Sequence, residues 1–96
     1  MTTIQIKVKI YGRVQGVFYR QSTLEVASKL GLSGYVRNMR DGTVEAIFEG
    51  SSKTTLNKML DWCRIGPSFA QVDDVVIVHE IENKKEFDSF TIERTL

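Results

Sequence analysis

Two glycines four residues apart, Gly12 and Gly16, precede Arg20 in the stretch GRVQGVFYR. Glycine lets a chain curl so that successive backbone N–H groups point into one hollow, which suits an anion. A helical pattern opens at about Phe18. A helix start adds unpaired N–H groups and the positive end of its dipole. Arg20 falls in that first turn, and its planar fork of donors matches phosphate oxygens in pairs, as a lysine cannot. A cation there opposes the helix dipole, a conflict that an anion seated between the two removes. On the turn alone, a solvated surface arginine is the commoner outcome. The turn is not a Walker loop, because Gly-Lys-Ser/Thr and an acidic magnesium motif are both missing.

The second stretch with chemical content is GYVRN at 34–38, followed by DGTVE at 41–45 and then Gly50. Asn38 stands just ahead of a tight turn, where asparagine is ordinary turn chemistry. Its amide also offers a donor and an acceptor together, enough to hold one water molecule in a fixed orientation.

These residues need elements to position them. Ile4, Ile6, Val8 and Ile10 alternate with Gln5, Lys7 and Lys9, the period of a strand with one buried face that ends at Gly12. A helix follows, with Leu24, Ala27 and Leu30 on one face and Glu25 and Lys29 paired outside at i,i+4. Gly31 and Leu32 stop it. The spacing predicts strands over 33–39 and 43–48, joined by the turn Arg40-Asp41-Gly42, with Val44, Ala46 and Phe48 facing one way. Gly50 ends the third strand, and Ser51 or Ser52 caps a second helix with the stripe Leu56, Met59, Leu60 and Cys63, closed by Gly66-Pro67. A fourth strand runs over 72–81. The spacing of Val72 and Val75 breaks its alternation, which predicts a bulge after Val72. The turn Asn83-Lys84-Lys85 leads to a short fifth strand at Phe90 and Ile92. Two helices with one apolar stripe each must cover the same face of one sheet, and each crossover is right-handed. The fold class is α+β: a ferredoxin-like βαββαβ sandwich, mostly antiparallel, with a short extra C-terminal strand.

Bulk properties narrow the partners. The 96 residues are 42% hydrophobic and 26% charged with a net charge of +1, so a single domain over 1–96 is expected. Without a polybasic block, neither nucleic acid nor an anionic membrane is favoured, and an anion must be held by a few placed groups. The lone Cys63 cannot form an internal disulfide, in keeping with a reducing cytoplasmic setting. The start, MTTIQIKVKI, lacks the apolar run of a signal peptide, and no stretch is apolar enough to span a bilayer. A monomer is the default for this size.

GRVQGVFYR followed by GYVRN-x3-G-x-V, with the closing Gly50, resembles the paired signature of the acylphosphatases. The resemblance covers the length, the element order and both motifs. It implies hydrolysis of the carboxyl–phosphate bond of an acyl phosphate to a carboxylate and inorganic phosphate, with no cofactor, no metal and no covalent intermediate. Residue by residue, Arg20 matches the phosphate-binding arginine and Asn38 the asparagine that positions the attacking water. The backbone of Gln15, Gly16, Val17, Phe18 and Tyr19, together with Arg20, matches the phosphate cradle. Gly12 and Thr43 match supporting positions. Met39 departs from the commoner small polar residue after the asparagine, so no hydroxyl supports Asn38 there.

The remaining reactive residues read as structural. His79, the single histidine, lies along the fourth strand far from both motifs, and Cys63 sits on an apolar stripe. Asp73, Asp74 and Glu80 flank the run 75–78 as solvated charges. No cluster has metal-ligand spacing. RNA-recognition domains share the βαββαβ order but need aromatics on the open faces of strands one and three. Here the outward positions are Lys7, Lys9, Thr43, Glu45 and Glu49, with only Tyr11 near the end of strand one. A non-catalytic relative that binds an acyl or carbamoyl phosphate, or a protein, is the other alternative; Arg20 and Asn38 both being present favours the enzyme.

Overall fold

A computed structural model describes residues 2–96. It contains β1 (Thr2–Arg13), α1 (Tyr19–Lys29), β2 (Ser33–Asn38), β3 (Val44–Gly50), α2 (Lys53–Ile65), β4 (Gln71–Lys84) and β5 (Phe90–Ile92). The sheet order is β4-β1-β3-β2-β5, as expected of the ferredoxin-like sandwich. Every pairing is antiparallel except β5, which adds to β2 in parallel. Ile6, Val8 and Ile10 of β1 and Val44, Ala46 and Phe48 of β3 form one buried face. Leu56, Met59, Leu60 and Cys63 of α2 close over it, as their spacing predicts. Among the described residues, no helix is long and apolar enough to cross a membrane.

Helix α1 is rotated from the expected stripe. Its buried residues are Tyr19, Thr23 and Ala27, while Leu24 and Leu30 are only partly buried against the core. Tyr19 explains the rotation. Its hydroxyl donates to the Cys63 carbonyl at 2.7 Å, and its ring packs on Trp62 with centroids 5.4 Å apart. The Cys63 carbonyl lies in the last turn of α2, where carbonyls lack helical partners, so one side chain caps α2 and anchors α1 at once. Thr23 turns its hydroxyl back to the Tyr19 carbonyl at 2.7 Å and so tolerates burial. The exposed Glu25 and Lys29 do not close an ion pair among the described residues, since solvation competes with so weak a contact.

Both helix ends follow the sequence. The Leu32 and Gly31 N–H groups donate to the Ala27 and Ser28 carbonyls at 2.9 and 3.1 Å, with Gly31 at φ +72°. Ser52, rather than Ser51, caps α2 by accepting from the Thr55 N–H at 3.3 Å.

Strand ends differ from the periodicity, and β2 stops at Asn38 instead of Met39. β1 continues past Gly12 to Arg13, and β3 runs from Val44 through Gly50. β4 extends through Asn83 and Lys84, where a turn was expected, because Thr3 and Thr2 pair with those residues. The bulge after Val72 is present: Tyr11 faces Asp74 and Gly12 faces Val72, so Asp73 is the extra residue. Gly12 permits this approach, since a Cβ there would meet the Gln71 carbonyl oxygen at 2.2 Å.

The sheet face opposite the helices is also buried in part. Thr43, Glu45 and Glu49 point away from the helices, yet all three are buried. Glu45 accepts from Tyr35 Oη at 2.9 Å and pairs with Lys7 Nζ at 3.2 Å and Arg37 Nε at 2.8 Å. Glu49 accepts the backbone N–H groups of Glu86 at 3.0 Å and Phe87 at 3.1 Å, and Gln5 Nε2 at 3.1 Å. Gln5 also bonds His79 Nε2 at 3.1 Å, which accounts for the histidine. Burial raises the Glu49 carboxyl, but the Phe87 and Glu86 N–H groups and the Gln5 amide outweigh it and hold the pKa below its ordinary 4.5.

A carboxyl depressed in the folded state contributes stability above its unfolded pKa and loses it as pH falls through the folded value. Glu49→Gln leaves buried donors mismatched and should cost about 1–3 kcal/mol at neutral pH. In urea titrations the gap to wild type should narrow at about pH 3, below the reference carboxylate range. An equal gap at both pH values would assign the loss to packing instead.

Candidate active site

The segment between β1 and α1 is built from alternating anchors and outward turns. Val14 is buried and Val17 is partly buried against the core. Gly16 and Phe18 between and after them take left-handed backbone, at φ +74° and +63°. This is ordinary for glycine but costs about 1–2 kcal/mol for a residue with a side chain. Phe18 is the N-cap of α1 yet makes no side-chain cap bond. The first N–H of the helix to find a carbonyl is that of Ser22, bonded to Phe18 O at 3.0 Å. Among the described residues, the N–H groups of residues 14–21 take no protein acceptor. Such a run of unsatisfied donors at a helix start has the chemistry that suits an anion.

Arg20 enters the same place. It lines a cleft of about 350 Å³ with Gly16, Phe18, Tyr19 and Ile92. Arg20 is half-buried, and its guanidinium has no ion pair or hydrogen bond among the described residues. The carboxylates of Asp41, Glu45 and Glu80 are all matched to lysines or to Arg37 elsewhere. Of the predicted cradle residues, Gly16, Phe18, Tyr19 and Arg20 line this one hollow, whereas Gln15 and Val17 do not.

Asn38 does not line that cleft. It is the last residue of β2, paired with Val44, and its side chain shares the helix-covered face with Val36. Its Oδ1 is buried and has no hydrogen-bond partner among the described residues. A buried acceptor without a partner costs about 1–3 kcal/mol and is rare enough to point to a role. Its backbone is held on both sides: the Leu96 N–H donates to Asn38 O at 3.1 Å, and the Arg40 N–H donates to Leu96 O at 2.9 Å.

The link between the cradle and Asn38 is the Gln15 side chain. Nε2 donates to the carbonyls of Met39 at 2.7 Å and Thr43 at 2.9 Å, the two residues that begin and end the hairpin turn. Gln15 therefore has only its backbone N–H to offer an anion. Thr43 also has a committed hydroxyl: it donates to Asp41 Oδ1 at 2.6 Å, and the Thr43 N–H reaches the same oxygen at 3.0 Å. Asp41 in turn pairs with Lys9 Nζ at 2.7 Å. The bond from Lys9, followed by those from Thr43, holds the Asp41 carboxyl well below the usual carboxylate range. The hairpin is thus braced without Met39 supplying a hydroxyl.

Sequence reasoning missed the Gln15 clasp, the Asp41 brace and Ile92. An amide placed among the apolar residues Val14 and Val17 was the visible signal for the first. Cys63 is fully buried, and burial pushes its thiol up to about 12, which suits a core residue rather than a nucleophile. Asp73, Asp74 and Glu80 are exposed, as expected.

Comparison with known proteins bears on this geometry. The sequence model of the acylphosphatase family matches residues 6–92. An acylphosphatase of Pyrobaculum aerophilum is 48% identical over 93 residues, 96% of each chain. One of Pyrobaculum calidifontis is 47% identical over 90 residues, 93% of this chain and 80% of that one. Among solved structures, an acylphosphatase from Coxiella burnetii aligns with a TM-score of 0.86 and 32% identity, over 95% of this chain and 93% of that one. An acylphosphatase from Bacillus subtilis aligns with a TM-score of 0.82 and 30% identity, over 94% and 98%. Sequence and fold agree, and the chain belongs to the acylphosphatase family.

Proposed function

We propose that this protein hydrolyses acyl phosphates to a carboxylate and inorganic phosphate, with Arg20 and the 15–20 backbone holding the phosphoryl group and Asn38 orienting the water. The observation that carries the reading is the hollow in which free N–H groups and an unpaired guanidinium converge. Such donors suit the charge on the equatorial oxygens of a phosphoryl group in transfer, where catalysis is mostly positioning and electrostatics. Arg20 binds two of those oxygens with its fork, and the helix start supplies the rest.

Asn38 is too weak a base to take a proton, so its part is orientation. Its unpartnered Oδ1 accepts a hydrogen bond from the water, directing the lone pair at phosphorus. The oxygen–phosphorus bond to the water forms as that to the acyl oxygen breaks. The departing carboxylate needs no general acid. The water's proton passes to a phosphate oxygen of the substrate itself, so the step uses no covalent intermediate and asks for no cofactor. The reading extends to a single cytoplasmic domain over 1–96 that works as a monomer on a small molecule. Nucleic acid is a poor alternative, because the open sheet face between β1 and β3 carries the Lys7–Glu45 ion pair instead of stacking aromatics.

The deciding experiment is hydrolysis of benzoyl phosphate by protein purified in the presence of a chelator. Activity with competitive inhibition by inorganic phosphate is expected, and no hydrolysis would sink the assignment. Arg20→Ala should lose most phosphate affinity and on the order of 3–4 kcal/mol of transition-state stabilisation, read from kcat/KM. Asn38→Ala should keep phosphate inhibition while kcat collapses. The opposite pattern would reverse the two roles.

Gln15 is proposed as a positioning residue for both. Gln15→Leu removes two hydrogen bonds to hairpin carbonyls and should lower stability by about 1–3 kcal/mol. It should also reduce kcat more than it raises the inhibition constant for phosphate. Gln15→Glu places a carboxylate against two carbonyls and should be the worse of the two by both measures.

A further inference from the structure

We propose that Phe18 and Ile92 form the acyl-side wall of the cleft and select acyl phosphates whose acyl group is uncharged and apolar; this rests on the acylphosphatase reading above. Phe18 is the single non-glycine residue with positive φ among those described, and its side chain is 72% exposed. Glycine would take this backbone without strain, and asparagine with less. The ring gives no cap bond to α1 in return. A strained turn that holds an aromatic ring out at the mouth of a cleft has a use for the ring once the cleft is filled.

Ile92 reaches the same cleft from the opposite end of the chain. It pairs with Val36 across β5 and β2, is 36% exposed, and stands on the side of the sheet that α1 covers. Among the described residues, Arg20 is the only charged side chain lining the cleft. With the phosphoryl group on Arg20, the rest of the substrate lies against Phe18 and Ile92. A second carboxylate on the acyl group would find no cation there, and an amino group would find no acid. Either charge would lose water against apolar side chains, with only the neutral Gln21 amide at hand and no opposite charge to replace it. An aryl or branched alkyl group instead covers surface already exposed. A cleft of about 350 Å³ suits a small molecule of this kind.

The test compares kcat/KM for benzoyl, acetyl and succinyl phosphate in the wild type and two variants. Ile92→Thr keeps a β-branched residue in the strand, and Phe18→Asn keeps a residue that tolerates left-handed backbone. In the wild type, benzoyl phosphate should exceed succinyl phosphate by at least about tenfold, within the range a hydrophobic pocket can discriminate. Each variant should cut the benzoyl-to-acetyl ratio by about five- to tenfold, on the same scale. Inorganic phosphate should inhibit Ile92→Thr as it does the wild type. A ratio unmoved in both variants, or a wild type that prefers succinyl phosphate, would overturn the wall alone. Hydrolysis of none of the three would overturn the acylphosphatase reading, and the wall with it.

Discussion

The Gln15 carboxamide directs its hydrogens at two carbonyls of the neighbouring hairpin, those of Met39 and Thr43. The segment it belongs to has no ladder of its own, since its N–H groups are left unbonded for an anion. A turn of that kind must take its rigidity from outside. Val14 and Val17 pin it to the core from below, and Tyr19 fixes its far end to the last turn of α2. Gln15 adds the sideways tie that sets the cradle against the strand end carrying Asn38. Two halves of a site from different supersecondary units thus share one reference frame without sharing a cleft wall.

The same division of labour appears in the charges. Glu45 draws Lys7, Arg37 and Tyr35 together, and Asp41 holds Lys9. These pairs lie on the sheet face away from the helices and on the hairpin, where they satisfy one another. Among the described residues, Arg20 is left without a carboxylate. An arginine already paired would have to give up that partner for a phosphate, whereas a free fork is available at no such cost. At the other end of β3, Glu49 gathers the N–H groups of Glu86 and Phe87 and so fixes the path from β4 to β5. That path leads to Phe90, stacked on Phe48 at 5.5 Å, and then to Ile92 at the cleft.

What was legible in the sequence was whatever depends on near neighbours. Alternation in β1, the stop at Gly31, the bulge after Val72 and the stripe of α2 are local patterns, and each is present. Arg20 at a helix start and Asn38 at a strand end were likewise placed by periodicity. The misses are contacts made across the fold. Leu24 looked like core until Tyr19 found Cys63, which lies 44 residues away. Glu49 had the composition of a solvated residue, and only the β4–β5 connection buries it. Asn83 looked like a turn because its strand partner, Thr3, lies 80 positions earlier. Ile92 reads as an ordinary strand residue, and its place at the cleft follows from a parallel pairing that no local period announces.

The place of β1 between β3 and β4 has a consequence for the order in which this molecule comes into being. Its hydrogen bonds go to β3 on one side and to β4 on the other, the latter joining residues as far apart in sequence as Thr2 and Lys84. Closing so long a loop costs entropy before any contact repays it, and non-local pairing of this kind slows folding. On a ribosome the cradle, Arg20, Asn38 and the hairpin would all emerge before residue 71, where β4 begins. Until then β1 presents a bare edge of alternating isoleucine and valine, the kind of surface that pairs with any strand at hand. The residues of the proposed site are thus made early, but β1, which leads into them, gains its second partner only once β4 has been delivered.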